Sequence, residues 1–450
     1  NFYDEKGRVI QANSDNYKNG TDILTNQYDF TGKVLINYQV YNTPGVAQLR
    51  LKTEMVYDHG NRLLEVWKTI NDEISKKARI VKNDYDELGQ LMTKQLGQKK
   101  DATTGDYITP SVPIETLDYT YNIRGWVNGV NKYYADKDET RETDRWFGFN
   151  LSYDWGFETN QYSGNIGGMK WHSKGAGDIK RAYGFSYDKA DRLLGADFSQ
   201  GESGYADDAT VNFDMVMGNG TDAGTAYDAN GNILKMKQWG LKITGSSVID
   251  DLKYTYEQTG NSNKLKNVID FQNDVNTNLG DFRTATGHPQ TSNKNTYVSA
   301  GTGDVNSIID YEYDKNGNLA FDKNKNIAGI TYNHLNLPSE IQAKDDNGNA
   351  KGKIVYIYDA AGNKLQKKVV EYGPDHVTVA QTTITDYVAG RVYETKQIAA
   401  NPAADYADKL QFLGQEEGRI RATYTNTSDP NLLTGFEYDY MVKDHLGNVR

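Results

Sequence analysis

Two short acidic segments have the residue types of a calcium-binding loop. They read DKNGN at 314–318 and DDNGN at 345–349, so carboxylate and amide oxygens, the ligands that calcium prefers, stand close together. In an EF-hand loop, glycine stands sixth and a bidentate glutamate twelfth, and neither segment has this spacing. Aspartate, asparagine and glycine are also the residues of tight turns. We therefore interpret both segments as turns and predict no metal site in them.

Residues that catalyse reactions in other proteins do not occur here at the spacings that catalysis needs. The six histidines show no HExxH or i, i+4 spacing, which argues against a zinc site built by the protein alone. There is no GxSxG motif and no Walker loop. Asp444 and His445 are two members of a possible triad, but their block follows a strand and we interpret them as structural. We predict no enzyme activity, no catalytic residue, no metal and no cofactor in these residues.

The aromatic segment RWFGFNLSYDWGF at 145–157 has two interpretations. Aromatic rings stack on sugars, so the segment is a candidate glycan-binding platform. Aromatic clusters also fill the space where β-sheets meet, because each ring buries a large apolar area. Both interpretations stay open at this point.

The composition excludes several classes of protein. The 50 basic and 61 acidic residues give a net charge of −11, which argues against general nucleic-acid binding. The lack of cysteine excludes a disulfide framework and thiolate metal sites. No apolar run approaches the length of a membrane span, so we predict no membrane insertion. The 33 tyrosines and 43 glycines beside 8 prolines indicate many β-strands separated by tight turns.

One pattern occurs eleven times along the chain. It consists of Tyr, then Asp, Asn or another polar residue, two free residues, a turn residue, any residue and in most copies an apolar residue. The fifth position holds Gly in most copies and Asn61, Asp191 or Asn336 in the others, which are the residue types that tolerate positive φ. The copies that define the pattern best are Tyr3, Asp4, Gly7; Tyr28, Asp29, Gly32; Tyr85, Asp86, Gly89; Tyr187, Asp188, Asp191; Tyr227, Asp228, Gly231; Tyr313, Asp314, Gly317; and Tyr358, Asp359, Gly362. The other four begin at Tyr57, Tyr121, Tyr256 and Tyr332.

A β-hairpin accounts for each position of this pattern. Tyr ends the incoming strand, and the Asp side chain accepts hydrogen bonds from backbone amides of the turn. The two free residues form a type I turn, and the fifth residue takes the left-handed conformation as a bulge. The repetition therefore predicts a series of hairpins, with structural rather than catalytic roles for the named residues.

The spacing of the copies favours a ribbon of hairpins over other repeat architectures. With a broken copy at Tyr153 included, successive repeat tyrosines lie 19 to 57 residues apart, which is too irregular for propeller blades of about 40 residues. Hairpins side by side in one curled antiparallel sheet tolerate such scatter, because extra residues hang from the far turns. We predict an all-β fold of this kind over residues 1–450, with long inserted loops near 98–116, 199–224 and 272–306.

The pattern resembles the RHS or YD-repeat proteins, and is closest to the Bacteroidetes-type RHS repeat-associated polymorphic toxins. Three blocks add to the resemblance: YSGNIGGMKWHS at 162–173 with RAYGFSYDKADRLLGADF at 181–198, ITYNHLNLPSEI at 330–341, and DYMVKDHLGNVR at 439–450. The resemblance implies a spiral β-sheet that forms a hollow shell, here a partial one. It also places the start of the RHS-associated core at about 436–450. None of the residues that cleave the cargo free in that family can be assigned here.

The resemblance implies that the shell encapsulates and delivers a C-terminal toxin or effector that lies beyond this chain in the same polypeptide. The alternative is a cell-surface adhesion protein that binds glycans through its loops. In both cases we expect a secreted or cell-surface bacterial protein with an export signal outside these residues, and secretion-system or other surface proteins as further partners. We also expect the natural polypeptide to continue in both directions.

Overall fold

Strands make up most of the chain. This computed structural model describes residues 1–137, 144–175, 177, 179–202, 204–207, 210–242, 245–272, 282, 308–425 and 432–450. The protein is all-β, with 54% strand and 4% helix, which confirms the predicted fold class at this level. Within these ranges, no helix has the length and apolar character to cross a membrane.

The strands follow one another with short connections. The first ten are β1 (Phe2–Tyr3), β2 (Val9–Asp15), β3 (Thr21–Tyr28), β4 (Val34–Tyr41), β5 (Leu49–Tyr57), β6 (Leu63–Ile70), β7 (Ala78–Tyr85), β8 (Leu91–Leu96), β9 (Glu115–Tyr121) and β10 (Val127–Val130). The next fourteen are β11 (Phe147–Ser152), β12 (Gly168–Ser173), β13 (Lys180–Tyr187), β14 (Leu193–Gly201), β15 (Met215–Met217), β16 (Lys235–Lys242), β17 (Gly245–Tyr256), β18 (Leu265–Asp270), β19 (Tyr311–Tyr313), β20 (Leu319–Asp322), β21 (Ile327–Tyr332), β22 (Pro338–Lys344), β23 (Ala350–Tyr358) and β24 (Lys364–Tyr372). The last are β25 (Val379–Val388), β26 (Arg391–Ile398), β27 (Tyr406–Gln415), β28 (Gly418–Tyr424) and β29 (Leu433–Tyr440).

Helical segments are short and lie between strands. The α-helical turns are α1 (Lys132–Ala135) and α2 (Ala223–Ala226), and 3-10 turns occur at Ile74–Lys76, Glu257–Gly260 and Pro402–Ala404.

Neighbouring strands pair with the next strand in sequence, always antiparallel. This holds from β1 through β11, from β12 through β18, from β19 through β24 and from β27 through β29. The result is long, open antiparallel sheets built from local connections. Each repeat tyrosine in a paired strand stands opposite the residue that follows the turn, as Tyr28 stands opposite Val34, with a register shift at the tyrosine. Such a shift is the mark of a β-bulge.

The left-handed backbone predicted for the fifth position is present in ten of the eleven copies. The φ angle is +86° at Gly231 and +87° at Gly317, and the three non-glycine residues Asn61, Asp191 and Asn336 have φ of +72°, +61° and +57°. The others are Gly7, Gly32, Gly89, Gly125 and Gly362. The sequence pattern therefore reports a backbone requirement, since Gly, Asn and Asp are the residues with low strain in this region.

The copy that begins at Tyr256 is the exception, and the prediction for Gly260 is wrong. Gly260 ends a 3-10 turn instead of forming the bulge. The N–H of Glu257 donates to the carbonyl of Lys264, and Tyr256 stands opposite Leu265, so this turn is three residues longer than the others. Gln258 takes the positive φ, at +53°.

The chain divides into two compact units. The first comprises residues 1–150, 385–395 and 405–450, and the second comprises residues 151–384 and 396–404. In the first unit, strands from the two ends of the chain share one core, whose buried residues are Tyr41, Leu49, Leu51, Ile70, Val388, Tyr393, Leu410, Leu413, Ile420 and Ala422. A smaller core in the second unit is formed by Leu194, Met217 and Ala226. The prediction of one continuous repeat region over residues 1–450 stays a prediction.

The predicted inserted loops differ in outcome. Residues 97–114 connect β8 and β9 without a strand of their own, apart from a bridge between Lys100 and Tyr107. The second segment, 199–224, contains β15, which pairs with both β14 and β16. Its alternating apolar residues Met215 and Met217 pack in the small core, a contact that the polar residues around them conceal in the sequence. The third segment, 272–306, lies almost wholly outside the described residues.

Replacing Gly231 with Val should lower the free energy of unfolding by about 1–2 kcal/mol, because a β-branched residue is strained at positive φ. A Cβ at this position meets nothing within 4 Å, so the cost comes from the backbone alone. Gly231→Asn is the matched control, and it should cost clearly less. Denaturant unfolding measures the difference, and hydrogen exchange should report lost protection near the turn only. Equal costs for Val and Asn, or uniform loss of protection, would contradict the assignment.

Candidate functional site

The aspartate that follows each repeat tyrosine is used inside its own turn. At Asp228, Oδ1 accepts the N–H groups of Asn230 at 2.9 Å and Asn232 at 2.8 Å. The backbone N–H of Asp228 in turn donates to the carbonyl of Asn232. In the same way, Oδ1 accepts the backbone N–H groups two and four residues further on at Asp4, Asp188, Asp314 and Asp359. These carboxylates therefore stabilise turns, and no cluster of three or more His, Cys, Asp or Glu among the described residues is arranged to hold a metal ion.

The segments that resemble calcium loops and the Asp444–His445 pair belong to the same class of turn. Asp345 accepts the N–H groups of Asn347 and Asn349, as turn chemistry predicts. Asp444 also accepts two backbone N–H groups, and its Oδ2 receives the Nε–H of Arg450 at 2.8 Å. The ring of His445 packs 5.7 Å from the ring of Phe149, and burial lowers the pKa of His445. The carboxylate of Asp444 thus accepts hydrogen bonds from the turn and from Arg450, which fits the interpretation of Asp444 and His445 as structural residues.

Hydrogen bonds from the turn lower the pKa of these aspartates. The backbone N–H of Lys33 is the largest cause at Asp29, whose pKa falls to about 2 although partial desolvation opposes the shift. At Asp4, Asp58 and Asp188 the largest cause is the backbone N–H of the arginine four residues on, and these pKa values are lowered too. The charged carboxylate is therefore the form that the folded turn favours.

Acid should destabilise the protein as these carboxylates take up protons. A lowered folded-state pKa gives stability that is present above the unfolded pKa of about 4 and is lost as the pH falls toward the folded value. For Asp29 this window runs from about 4 down to about 2. We expect a variant with Asp4, Asp29 and Asp58 all changed to Asn to lose less stability across this window than the unmodified protein. Asn keeps the side-chain acceptor, as Asn122 and Asn333 do at the same position.

Denaturant midpoints between neutral pH and the lower end of this window test the prediction. Asp15→Asn serves as a control, because Asp15 lies outside the repeat turns. An identical pH dependence for the triple variant and the unmodified protein would contradict a role of the turn carboxylates in acid stability.

The repeat tyrosine bonds to the hairpin before its own. The hydroxyl of Tyr28 donates to the carbonyl of Val9 at 2.9 Å, and that of Tyr227 donates to the carbonyl of Leu193 at 2.6 Å. In both cases the acceptor is the apolar residue that ends the preceding copy. The same bond joins Tyr85 to Leu63, Tyr121 to Leu91, Tyr256 to Ile233, Tyr313 to Leu265 and Tyr332 to Leu319.

This hydroxyl bond lies where backbone pairing between hairpins stops. The pairing of β2 with β3 ends at Gln11 opposite Thr25, two residues short of Val9. The pairing of β6 with β7 ends at Glu65, two residues short of Leu63. Beyond these points the strands separate toward their turns, and the tyrosine hydroxyl donates to a carbonyl that the ladder leaves open. At Val9 and Leu63 the same carbonyl also accepts Nδ2 of Asn26 and Asn83, at 3.2 and 3.1 Å. We call this gap and its hydroxyl bond the seam between two hairpins.

A cation at the sixth position also crosses the seam, and the sequence analysis missed it. Arg8 pairs with its own Asp4, donates through Nη1 to the carbonyl of Asp29 at 2.9 Å, and lies over the ring of Tyr28 at 4.8 Å. Arg62 and Arg192 repeat the arrangement over Tyr85 and Tyr227, at 4.9 and 4.6 Å. The sequence does contain a signal for it: Arg or Lys occurs at the sixth position in four copies, although the pattern allows any residue there.

Tyr227→Phe should lower the free energy of unfolding by about 1 kcal/mol, the usual value of one hydrogen bond, because the substitution removes only the hydroxyl. Tyr3→Phe is the matched control, since Tyr3 opens the first copy, is 57% exposed, and its hydroxyl makes no hydrogen bond to the described residues. Denaturant unfolding of both variants tests this. Equal effects of the two substitutions would contradict the seam.

The aromatic segment 145–157 contains both buried and exposed rings, and its glycan-binding interpretation stays a prediction. Phe147, Phe149 and Leu151 are almost fully buried and fill core. Trp146 and Trp155 expose 53% and 43% of their surface. The buried rings account for most of the apolar character of the segment, and the two tryptophans are what a glycan would have to contact.

A cluster of charges in the first unit joins residues near its two ends. The ammonium of Lys18 lies 2.8 Å from Oδ2 of Asp386 and also contacts the carboxylate of Asp408. Arg391, which is 1% exposed, pairs with Asp22. Burial lowers the pKa of Lys18, but the hydrogen bonds to Asp386 and Asp408 outweigh it, so the pKa lies above its ordinary value. The sequence gives no local signal for this cluster, because its members are more than 360 residues apart.

Each unit also has a cavity that is lined by both polar and apolar residues. In the first unit a cavity of about 510 Å³ is lined by Asn37, Gln39, Thr53, Lys68 and Glu416 among others. Lys68 is 4% exposed and pairs with Glu416 at 3.1 Å and with the hydroxyl of Thr53 at 2.9 Å. In the second unit a cavity of about 330 Å³ is lined by Phe157, Glu158, Asp197 and Asp214 among others. Both cavities present charged and hydrogen-bonding groups to their contents.

Comparisons with known proteins do not assign a family. No family model matches the chain, and no curated protein matches it. Among solved structures, the chain is similar to TcdB2-TccC3 without its hypervariable C-terminal region, at 14% identity and a TM-score of 0.26, over 100% of this chain and 26% of that one. It is also similar to a porin-like protein from Bacteroides uniformis, at 8% identity and a TM-score of 0.17, over 80% of this chain and 93% of that one. The chain spans about a quarter of the length of TcdB2-TccC3. At these TM-scores neither likeness carries an argument about function.

Proposed function

We propose that this chain is part of the wall of an RHS-type shell, in a secreted bacterial protein that encapsulates and delivers a C-terminal toxin or effector lying beyond these residues. The observation that carries the proposal is the seam. In seven of the eleven copies the tyrosine holds the preceding copy through a hydroxyl–carbonyl bond such as Tyr227 to Leu193, so these successive hairpins extend one surface within each unit. Hairpins that are joined side by side in this way form an extended sheet, which is the kind of structure from which a shell wall is built.

The repeated polar residues support a structural role for the wall. The turn aspartates accept backbone amides, the tyrosine hydroxyls bond across the seam, and the sixth-position arginines pair with both. These groups have little capacity left for a substrate. We accordingly propose that the segment is not an enzyme and that any activity belongs to the cargo.

A glycan-binding adhesion protein is the second candidate, and the exposure of Trp146 and Trp155 favours it. Exposed tryptophans offer flat faces on which sugar rings stack. Under both proposals the protein is secreted or stays at the bacterial cell surface, and surface or secretion-system proteins are its partners.

Protease protection of the segment that follows Arg450 tests encapsulation in the natural polypeptide. We expect that segment to resist digestion there and to be digested rapidly when it is expressed alone. A triple variant, Tyr227→Phe with Tyr256→Phe and Tyr313→Phe, should open the seams and increase its digestion, while Tyr3→Phe should leave it unchanged. Equal digestion of the segment alone and in the full polypeptide would contradict encapsulation. Binding to immobilised glycans that is lost in Trp146→Ala or Trp155→Ala would favour adhesion.

A further inference from the structure

Lys18 meets two carboxylates that differ in their surroundings. Its Nζ lies 2.8 Å from Oδ2 of Asp386, whose side chain is 3% exposed. The same nitrogen contacts Asp408, whose side chain is 31% exposed. An amine nitrogen thus lies beside a desolvated carboxyl carbon, and a second, partly solvated carboxylate lies within reach of the protons of that amine.

The three groups are held in place by the backbone. Lys18 belongs to the turn between β2 and β3, where Oδ1 of Asn16 accepts the N–H groups of Lys18 and Gly20 at 3.0 Å. Asp408 lies inside β27 with φ of +50°, a conformation that costs a non-glycine residue energy. Its N–H donates to the hydroxyl of Thr395 at 2.9 Å, which fixes the strained residue. Backbone strain of this kind concentrates at sites where a side chain must be aimed.

We propose that Lys18 and Asp386 condense into an amide cross-link, with Asp408 as the group that transfers protons. Nζ of Lys18 attacks Cγ of Asp386, and a C–N bond forms as one C–O bond breaks. Of the three protons on the ammonium, one stays on the amide nitrogen and two leave with the oxygen of Asp386 as water. Asp408 accepts a proton from the nitrogen and returns it to the leaving oxygen, so it ends unchanged. No oxidant, reductant or cofactor takes part.

Desolvation assigns the two carboxylates their roles. The carboxyl group of Asp386 is 3% exposed and so is shielded from water that would compete with the amine, and we assign it as the group that is attacked. Asp408 is 31% exposed and contacts the same nitrogen, and we assign it as the group that carries the proton. A neutral amine beside a neutral acid is a tautomer of the ion pair, so the step takes no proton from solvent.

The ion pair is nevertheless the ground state, because the two carboxylates favour the charged form of Lys18. The reactive tautomer is therefore a minor species, and we expect the cross-link to form slowly after folding. Fixed proximity offsets part of this cost, since well-oriented groups within one molecule react as though they were at very high concentration. The product would join residues 368 positions apart and restrict the unfolded chain strongly.

The mass of the denatured, purified protein tests the proposal. We expect it to approach the sequence mass less one water molecule as the folded protein is stored, and a digest should contain the Lys18 peptide joined to the Asp386 peptide. Lys18→Arg keeps the positive charge and should show the full sequence mass. Asp408→Asn keeps both reacting groups and should form the link far more slowly. Full sequence mass in the stored, folded protein would overturn the proposal.

The chain supplies a matched pair for comparison. Lys94 lies 2.7 Å from Oε1 of Glu417, about the same distance, but among the described residues it contacts one carboxylate only, and that carboxylate is 17% exposed. We expect these two residues to stay unlinked in the same digest. A link at Lys94 as well would show that proximity alone suffices, and would overturn the role of Asp408. A link from Lys18 to Asp408 would overturn the assignment of Asp386 as the acceptor.

Discussion

The tyrosine hydroxyl at the seam is the interaction on which the rest of the sheet depends. Strands joined at a far turn pair well along most of their length, but they separate before they reach the repeat turns. Without a further contact, a hairpin would leave a carbonyl open at this place, as at Leu193. The tyrosine hydroxyl reaches that carbonyl, and at Val9 and Leu63 an asparagine side chain, Asn26 or Asn83, donates to the same oxygen. Seven of the 33 tyrosines of the chain make this bond.

The turn and the seam support each other. The aspartate fixes the turn, and the turn fixes the direction of the sixth residue. When that residue is an arginine, as at Arg62, it pairs with its own aspartate and covers the tyrosine of the next copy. The ring is then held from one face by a cation while its hydroxyl is bonded at the tip. A change at the aspartate should therefore weaken the next hairpin as well as its own.

The sequence predicts the parts of this fold that depend on a few adjacent residues. The positive φ at Asn61 and Asp191 was predictable, since residue type limits the backbone locally. The acceptor of each tyrosine hydroxyl was not, because it depends on where the pairing of two strands ends. The longer turn after Tyr256 was missed for a related reason. Its residue types match the pattern, but the hydrogen bond that closes the turn is made by a residue three positions later than in the other copies.

Contacts between residues that are far apart in the chain could not be predicted from the sequence. Lys18 carries no signal that pairs it with Asp386, since both residue types are common on surfaces. The burial that sets this pair apart from ordinary surface ions comes from packing within the first unit. The structural interpretation of Asp444 was accessible because its turn repeats the local pattern, whereas the contribution of Arg450 to that turn was not.

The acceptor at the seam is a main-chain carbonyl, and this has a consequence for how such a chain can change over generations. A carbonyl is present whatever side chain the residue carries, so a copy needs no particular neighbour in order to be held. A duplicated or transplanted copy brings its own donor and offers its own acceptor. Gain, loss and exchange of whole copies that make this bond thus preserve its donor and its acceptor. Recombination can therefore alter the length of the array in steps of one hairpin without redesign of its neighbours.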